Sequence, residues 1–194
     1  MMIKINKLIP EIKKFAIGNM PKDILHGWPH IERVLKYALM INKEVNADWD
    51  IIQCSILLHD IGHKVDRTKH NVIGAEMAEN FLLSKEIDQN LIQEIKNCIL
   101  THSRQYAEKK PESMEAKVLY DADGMDLFGP IGLMRALLSC ALRNEKFDCM
   151  IKKLEWRITE IPNFYSNTAK KFVDVNSNII KNYLIEFKNQ LKLF

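Results

Sequence analysis

The stretch Ser55-Ile56-Leu57-Leu58-His59-Asp60-Ile61-Gly62-His63 constrains this chain more than any other. Three large aliphatic residues that favour burial lead without interruption into an imidazole and a carboxylate, and a second imidazole follows Ile-Gly. A buried carboxylate beside an imidazole is costly unless a proton, a hydrogen-bond network or a metal satisfies it. A fold that carries this pair inside must therefore bring partners to it from elsewhere in the chain.

The remaining sequence is suited to building such an interior from helices. Its 194 residues fit one domain, and 47% hydrophobic with 27% charged residues describes an ordinary globular protein. Only seven Gly and six Pro occur, which favours long helices over a turn-rich sheet. Apolar residues recur at helical spacing over 3–17 (Ile5, Leu8, Ile9, Ile12, Phe15) and 29–45 (Ile31, Val34, Leu35, Ala38, Leu39, Ile41). Asp48 suits the N-cap of a mostly apolar, central helix over 49–62 that stops at Gly62. Further helices are predicted over 70–83 (Ile73, Met77, Phe81, Leu82) and 86–102 (Ile87, Leu91, Ile95, Cys98, Ile99). Pro111 opens a segment through Tyr120, and 127–142 and 168–191 complete the set, the last with Phe172, Val175, Ile179, Tyr183, Phe187 and Leu191 on one stripe. No alternation is long enough for a strand, so the expected fold is all-α, a single-domain helical bundle over 1–194.

Several function classes are disfavoured at this level. A net charge of +3 without a clustered basic stripe does not suggest a nucleic-acid polymer as partner. Cys54, Cys98, Cys140 and Cys149 form no C-x-x-C pair and lie in apolar contexts, as structural thiols in a reducing compartment do. The first fourteen residues are broken by Lys4, Lys7, Glu11, Lys13 and Lys14, unlike a signal peptide, and no apolar run reaches membrane-spanning length. The expected location is the cytoplasm, with no membrane partner.

The six histidines, His26, His30, His59, His63, His70 and His102, all fall at predicted helix ends or in the turns beside them. Histidines so placed can converge on one cavity from separate helices. His26 and His30 are four apart, as are His59 and His63, and Asp121, Asp123 and Asp126 crowd the segment DADGMD. Imidazoles mixed with carboxylates suit Fe, Mn, Zn, Co or Ni. Plainer uses stay open at this point. A lone histidine such as His26 or His63 is commonly a surface or hydrogen-bonded residue, His70 suits a helix start, and DADGMD suits a helix-end turn. His59 and His63 also have the H-x-x-x-H spacing of zincin metalloproteases, but Gly62 interrupts the required helix and Asp replaces the Glu base.

With these residues in view, the chain resembles the HD-domain metal-dependent phosphohydrolase superfamily, and most of all its small stand-alone members. The matching words are His26-Gly-Trp-Pro-His30-Ile-Glu-Arg33-Val34, Leu57-Leu58-His59-Asp60-Ile61-Gly62-His63 and Ala122-Asp123-Gly-Met-Asp126, with Thr168-Ala169-Lys170 later. The resemblance implies a metal-site core over about 22–145 with C-terminal helices 146–194 packing on it. It implies His30, His59, Asp60 and Asp123 as metal ligands, Asp123 being favoured over Asp126 because it follows a small apolar residue. His70-Asn-Val-Ile-Gly74-Ala75 is similar to a segment of the two-metal branch, and His102 stands where that branch places another ligand, so one or two ions are implied, with Asp60 as bridge. The G-Y-P segment of the cyclic-dinucleotide phosphodiesterases is absent, and a single histidine stands at 102 where they have two.

The implied activity is hydrolysis of a phosphate mono- or diester, such as that of a nucleotide, by metal-activated water, with Fe, Mn, Ni, Co or Zn as the ion and Mg as a further option. Asp60, His63 and Asp126 would be the acid–base groups, and Lys64, Arg33 and His26 would face phosphate. An oligomer is compatible with this reading. Two other classes share the residues: a two-iron oxygenase on the same scaffold, and a non-catalytic nucleotide- or metal-binding regulatory module.

Overall fold

A computed structural model of the chain describes residues 4–193. Among these residues all regular structure is helical, as the periodicity predicts. The helices are α1 (Ile9–Asn19), α2 (Trp28–Val45), α3 (Trp49–Leu58), α4 (His70–Leu83), α5 (Gln89–Thr101), α6 (Met114–Met125), α7 (Gly129–Ala141), α8 (Phe147–Thr159) and α9 (Asn167–Leu191). Contacts divide the chain into two compact units, one up to Asp123 and the other from Gly124 onward.

In the first unit α3 is the axis. Ile51, Ile52, Cys54, Ser55, Ile56, Leu57 and Leu58 are all buried on it, and α1, α2, α4 and α5 pack against it. Each large aliphatic side chain so enclosed contributes about 1.5–3 kcal/mol through loss of apolar surface to water. The helix starts where expected: the Asp48 side chain accepts from the amides of Asp50 (2.9 Å) and Ile51 (3.3 Å), satisfying donors that an open helix start leaves unpaired. Asp88 caps α5 in the same way through Asn90 and Leu91.

The expected helix over 49–62 ends earlier, at Leu58, and a separate 3₁₀ turn covers Ile61–Lys64. The reason lies at Gly62. A Cβ there would run into the carbonyl oxygen of His70 and stand 2.7 Å from the amide nitrogen of Gly74, so the chain must turn to let α4 pass. Near the N-terminus, Ile5–Leu8 form a 3₁₀ turn and Pro10 sits in the first turn of α1, where a missing N–H costs nothing; residue 3 of that predicted helix lies outside the described residues. On α2 Leu39 is exposed rather than inward. On α4 the buried face is His70, Asn71, Gly74, Ala75, Ala78 and Leu82, with Ile73, Met77 and Phe81 at its margin, because small residues let α4 lie close to α5 and to the 3₁₀ turn.

The second unit packs α7, α8 and α9 together. Helix α8 falls within the C-terminal helices 146–194 that the resemblance implies, but apolar periodicity predicted no helix at its position. Its buried stripe is Met150, Leu154 and Arg157, and an arginine at the third position hides the periodicity. Helix α9 buries Ala169, Val173, Ser177, Ile180 and Leu184, not the predicted stripe: Val175 is 68% exposed and Ile179 37%. Arg157 explains why α8 buries a charge. It donates to the carbonyl oxygens of Leu127 and Gly132, tying down the start of α7, and burial lowers its pKa to about 9.

Candidate metal centre

Five chain segments of the first unit deliver the polar interior. His30 lies in the first turn of α2. His59 ends α3, with Asp60 and His63 in the turn that follows. His70 is the first residue of α4 and His102 ends α5. Asp123 lies within α6, which runs five residues beyond the expected Tyr120, to Met125, so Asp121 and Asp123 are helical and not in a turn. His30, His59, Asp60, His70 and His102 are each at most 4% exposed.

The carboxylate of Asp60 faces two groups of imidazoles, one with each oxygen. Oδ2 lies 3.5 Å from His30 Nε2 and 3.5 Å from His59 Nε2. His30 Nε2 is also 3.4 Å from His59 Nε2 and 3.3 Å from Asp123 Oδ1. Oδ1 lies 3.3 Å from His63 Nε2, 3.7 Å from His102 Nε2 and 4.0 Å from His70 Nε2, and the last two nitrogens are 3.1 Å apart. An ion bound at about 2.1 Å sets ligand–ligand edges of about 3.0 Å in an octahedron and about 3.4 Å in a tetrahedron. The four separations given for the first group, 3.3–3.5 Å, match such edges; in the second the His70–His102 separation does, with Oδ1 standing further off from both of these rings.

The donor chemistry fits a cation. His59 Nδ1 lies 2.8 Å from the carbonyl oxygen of Ile56, His70 Nδ1 2.8 Å from that of Arg67, and His102 Nδ1 2.6 Å from that of Ile99. A carbonyl only accepts, so each Nδ1 carries the proton and each Nε2 turns a lone pair inward. His70 and His102 thus point two acceptors at each other at 3.1 Å, an arrangement that requires a proton or a metal between them. Without metal, burial lowers His70 to about 3, with His102 adding to the effect, whereas His102 itself is raised: burial opposes this, but the hydrogen bond and charge of Asp60 prevail. Burial also lowers His59 to about 4. Burial works to raise Asp60, yet the charges of His59 and His63 and hydrogen bonds from His102 and His63 hold it well below the usual carboxylate range. Asp123 is lowered as well, against burial, chiefly by its hydrogen bond to His30. Nitrogen and carboxylate donors in this mixture suit Fe, Mn, Co, Ni or Zn.

The other candidate residues are placed as follows. His63 is sandwiched between His26 (ring centroids 4.2 Å) and His70 (3.8 Å). Lys64 is exposed beside it and Arg33 is half-buried on α2. In the second unit Asp126 is buried with its carboxylate 2.6 Å from Arg135 Nη1. Tyr106 meets the His70 ring edge-on at 5.8 Å, and Arg104 lies over the Tyr120 ring at 3.9 Å.

Residues 27–127, just over half of the chain, match the family model of the HD domain. The chain is 29% identical to the uncharacterised Bacillus subtilis protein YpgQ over 119 residues, covering 58% of this chain and 56% of YpgQ. It is 29% identical to ribonuclease Y of Clostridium novyi over 146 residues, covering 74% of this chain and 25% of that protein, so it spans about half or less of the length of these curated relatives. Among solved structures, a Lactobacillus plantarum protein superposes with a TM-score of 0.84 at 20% identity, with both chains fully covered. YpgQ in complex with ADP gives 0.74 at 21%, covering 94% and 97%, and a predicted HD superfamily hydrolase from an uncultured Thermotogales bacterium gives 0.64 at 22%, covering 95% and 92%.

Proposed function

The chain belongs to the HD-domain family, and on that premise we propose that it is a metal-dependent phosphohydrolase acting on a phosphate mono- or diester, with a nucleotide as the substrate class. One observation carries the reading: the two oxygens of a single buried carboxylate, Asp60, face two separate groups of inward-pointing Nε2 atoms. His30, His59, Asp60 and Asp123 would hold one divalent ion, and His70 and His102 a second that shares Asp60. The chemistry such ions supply when bound is Lewis acidity, which lowers the pKa of water from about 16 towards 7 and offsets charge on phosphoryl oxygens. The ADP complex of YpgQ supports a nucleotide as ligand.

The chain's own groups would do the rest. Asp60, held ionised by its surroundings, offers a permanent acceptor at neutral pH. His63 would hold a proton at Nε2 against Asp60 Oδ1, 3.3 Å away. Lys64 and His26 flank His63, and Arg33 is one turn from His30 on α2, so these three would supply positive charge for phosphate oxygens. Asp126, neutralised by Arg135, would serve as a fixed charge rather than a proton carrier.

Metal analysis of purified protein should find a transition metal that is lost in His59→Ala and Asp60→Ala. Wild type should hydrolyse p-nitrophenyl phosphate, its bis-ester or members of a nucleotide panel with Mn, Co, Ni or Mg. A wild-type preparation that takes up no metal and hydrolyses none of these sinks the proposal.

A further inference from the structure

His63 stands among the candidate ligands but is built differently from them. His59, His70 and His102 are each pinned by an Nδ1–H donated to a backbone carbonyl, which leaves Nε2 bare. Among the described residues, His63 makes no such bond; its side chain meets only Asp60 and the rings of His26 and His70. Nothing therefore forces its Nε2 into the acceptor form, and a carboxylate oxygen that accepts a donor, Asp60 Oδ1, lies 3.3 Å from that nitrogen.

Ring geometry separates it further. An imidazole bound through Nε2 at about 2.1 Å has its centroid about 3.2 Å from the ion, so two such rings at roughly 90–110° stand about 4.5–5.2 Å apart. His70 and His102 are 5.0 Å apart, and His30 and His59 5.4 Å. His63 and His70 are 3.8 Å apart with their planes only 18° from parallel. That spacing corresponds to an angle near ~70° at a shared ion, tighter than either coordination geometry allows. The three groups Asp60, His63 and His70 lie close enough to suggest a metal triad, but the stack is incompatible with both rings binding one ion.

We propose that His63 is a positioning residue: its Nε2–H donates to Asp60 Oδ1, and the stack between His26 and His70 holds that donor so that the carboxylate stands with one oxygen towards each metal position. The inference rests on the two-ion reading above and names the group that keeps the bridge oriented. Outer hydrogen-bond partners of this type are worth about 10–100-fold in metal affinity. His63→Phe keeps a ring in the stack and removes the N–H; His63→Gln restores an N–H near the same place.

The test is titration of metal-free protein with Co(II), read by equilibrium dialysis with elemental analysis and by the visible ligand-field absorption. Wild type should bind two ions. His63→Phe should bind two at saturation with unchanged absorption bands, because no ligand is lost, while the affinity of the second ion falls about 10–100-fold. His63→Gln should recover most of that loss. An unaltered second affinity in His63→Phe overturns the inference, as does loss of the second ion at saturation with a changed spectrum, which would make His63 a ligand. Wild type binding a single ion, removed by His59→Ala, overturns this inference and leaves the first position standing; wild type binding none overturns both.

Discussion

Gly62→Ala tests the packing that joins the His59-Asp60 turn to α4. The new methyl group would collide with the His70 carbonyl oxygen and stand 2.7 Å from the Gly74 nitrogen, where real Cβ atoms essentially never come within 3.0 Å. Both neighbours are backbone, so no side-chain rotation relieves the clash, and the start of α4 must move away by about 1 Å or more to restore ordinary contact. Overpacking of this kind costs about 1–3 kcal/mol, and at about 2–4 °C per kcal/mol for a chain of this size a loss near the top of that range lowers Tm by ~6–12 °C. The same displacement carries His70 away from Asp60 Oδ1, already 4.0 Å distant, and leaves His30, His59 and Asp123 in place. Differential scanning fluorimetry with metal analysis should therefore show lower stability and selective weakening of the second ion. Gly74→Ala is the control: its Cβ would lie 3.2 Å from the His59 carbonyl oxygen and 3.4 Å from the Gly62 nitrogen, a strain of about 1 kcal/mol or less. If Gly62→Ala melts within about 2 °C of wild type and binds both ions as tightly, the reasoning is refuted.

Three further outcomes follow from the structure. In metal-free protein His59 and His70 have folded-state pKa values of about 4 and about 3, below the unfolded 6.5, so the unfolded chain binds more protons and stability falls as pH drops below about 6.5. His59 alone accounts for about 3 kcal/mol down to pH 4, partly offset by His102, whose raised pKa adds stability at low pH that is lost as pH rises; a Tm that stays flat from pH 7 to 4.5 contradicts this balance. Asp126→Ala removes the buried carboxylate from Arg135 and should cost about 3–5 kcal/mol in urea denaturation, and adding Arg135→Met should recover part of the loss. Asp48→Ala removes the α3 cap at a cost of about 1 kcal/mol, read as a lower urea midpoint at unchanged m-value.

The helical class and most helix positions were legible because the apolar stripes of α2, α3 and α5 are strong, and Asp48 announces its own helix. The failures share one physical cause. Where a face is buried by small or polar residues, as with Gly74, Ala75 and Ala78 on α4, Ala169 and Ser177 on α9, or Arg157 on α8, hydrophobicity marks the wrong stripe or none. The site was legible for the opposite reason. Imidazole and carboxylate side chains are scarce inside proteins, so the HD pair after its apolar run stood out as residues needing partners, while His30, Asp123, His70 and His102 were singled out by the family resemblance; the fold brings these six side chains together. What spacing could not reveal is which nitrogen of each ring is bare, or that His63 lies in a stack; both depend on contacts between residues distant in sequence.

The local design behind the ligand set is a use of helix ends. The last carbonyls of an α-helix have no amide partner within it. His59 and His102, each one residue past the end of its helix, hold the carbonyls of Ile56 and Ile99 with Nδ1–H, and so satisfy an acceptor of the final turn while fixing the ring. His70 does the same at a helix start with the carbonyl of Arg67 in the preceding loop. One hydrogen bond thus closes a backbone requirement and sets the tautomer that exposes a lone pair. That is why the His59-Asp60 pair can be buried at the end of the most apolar helix in the chain: the turn that stops α3 at Leu58 is the turn that aims its histidine. Breaking the turn at Gly62 and removing the imidazole at His59 should therefore differ in kind. The first shifts where α4 meets a site that remains formed, and the second removes a ligand from a scaffold that still folds.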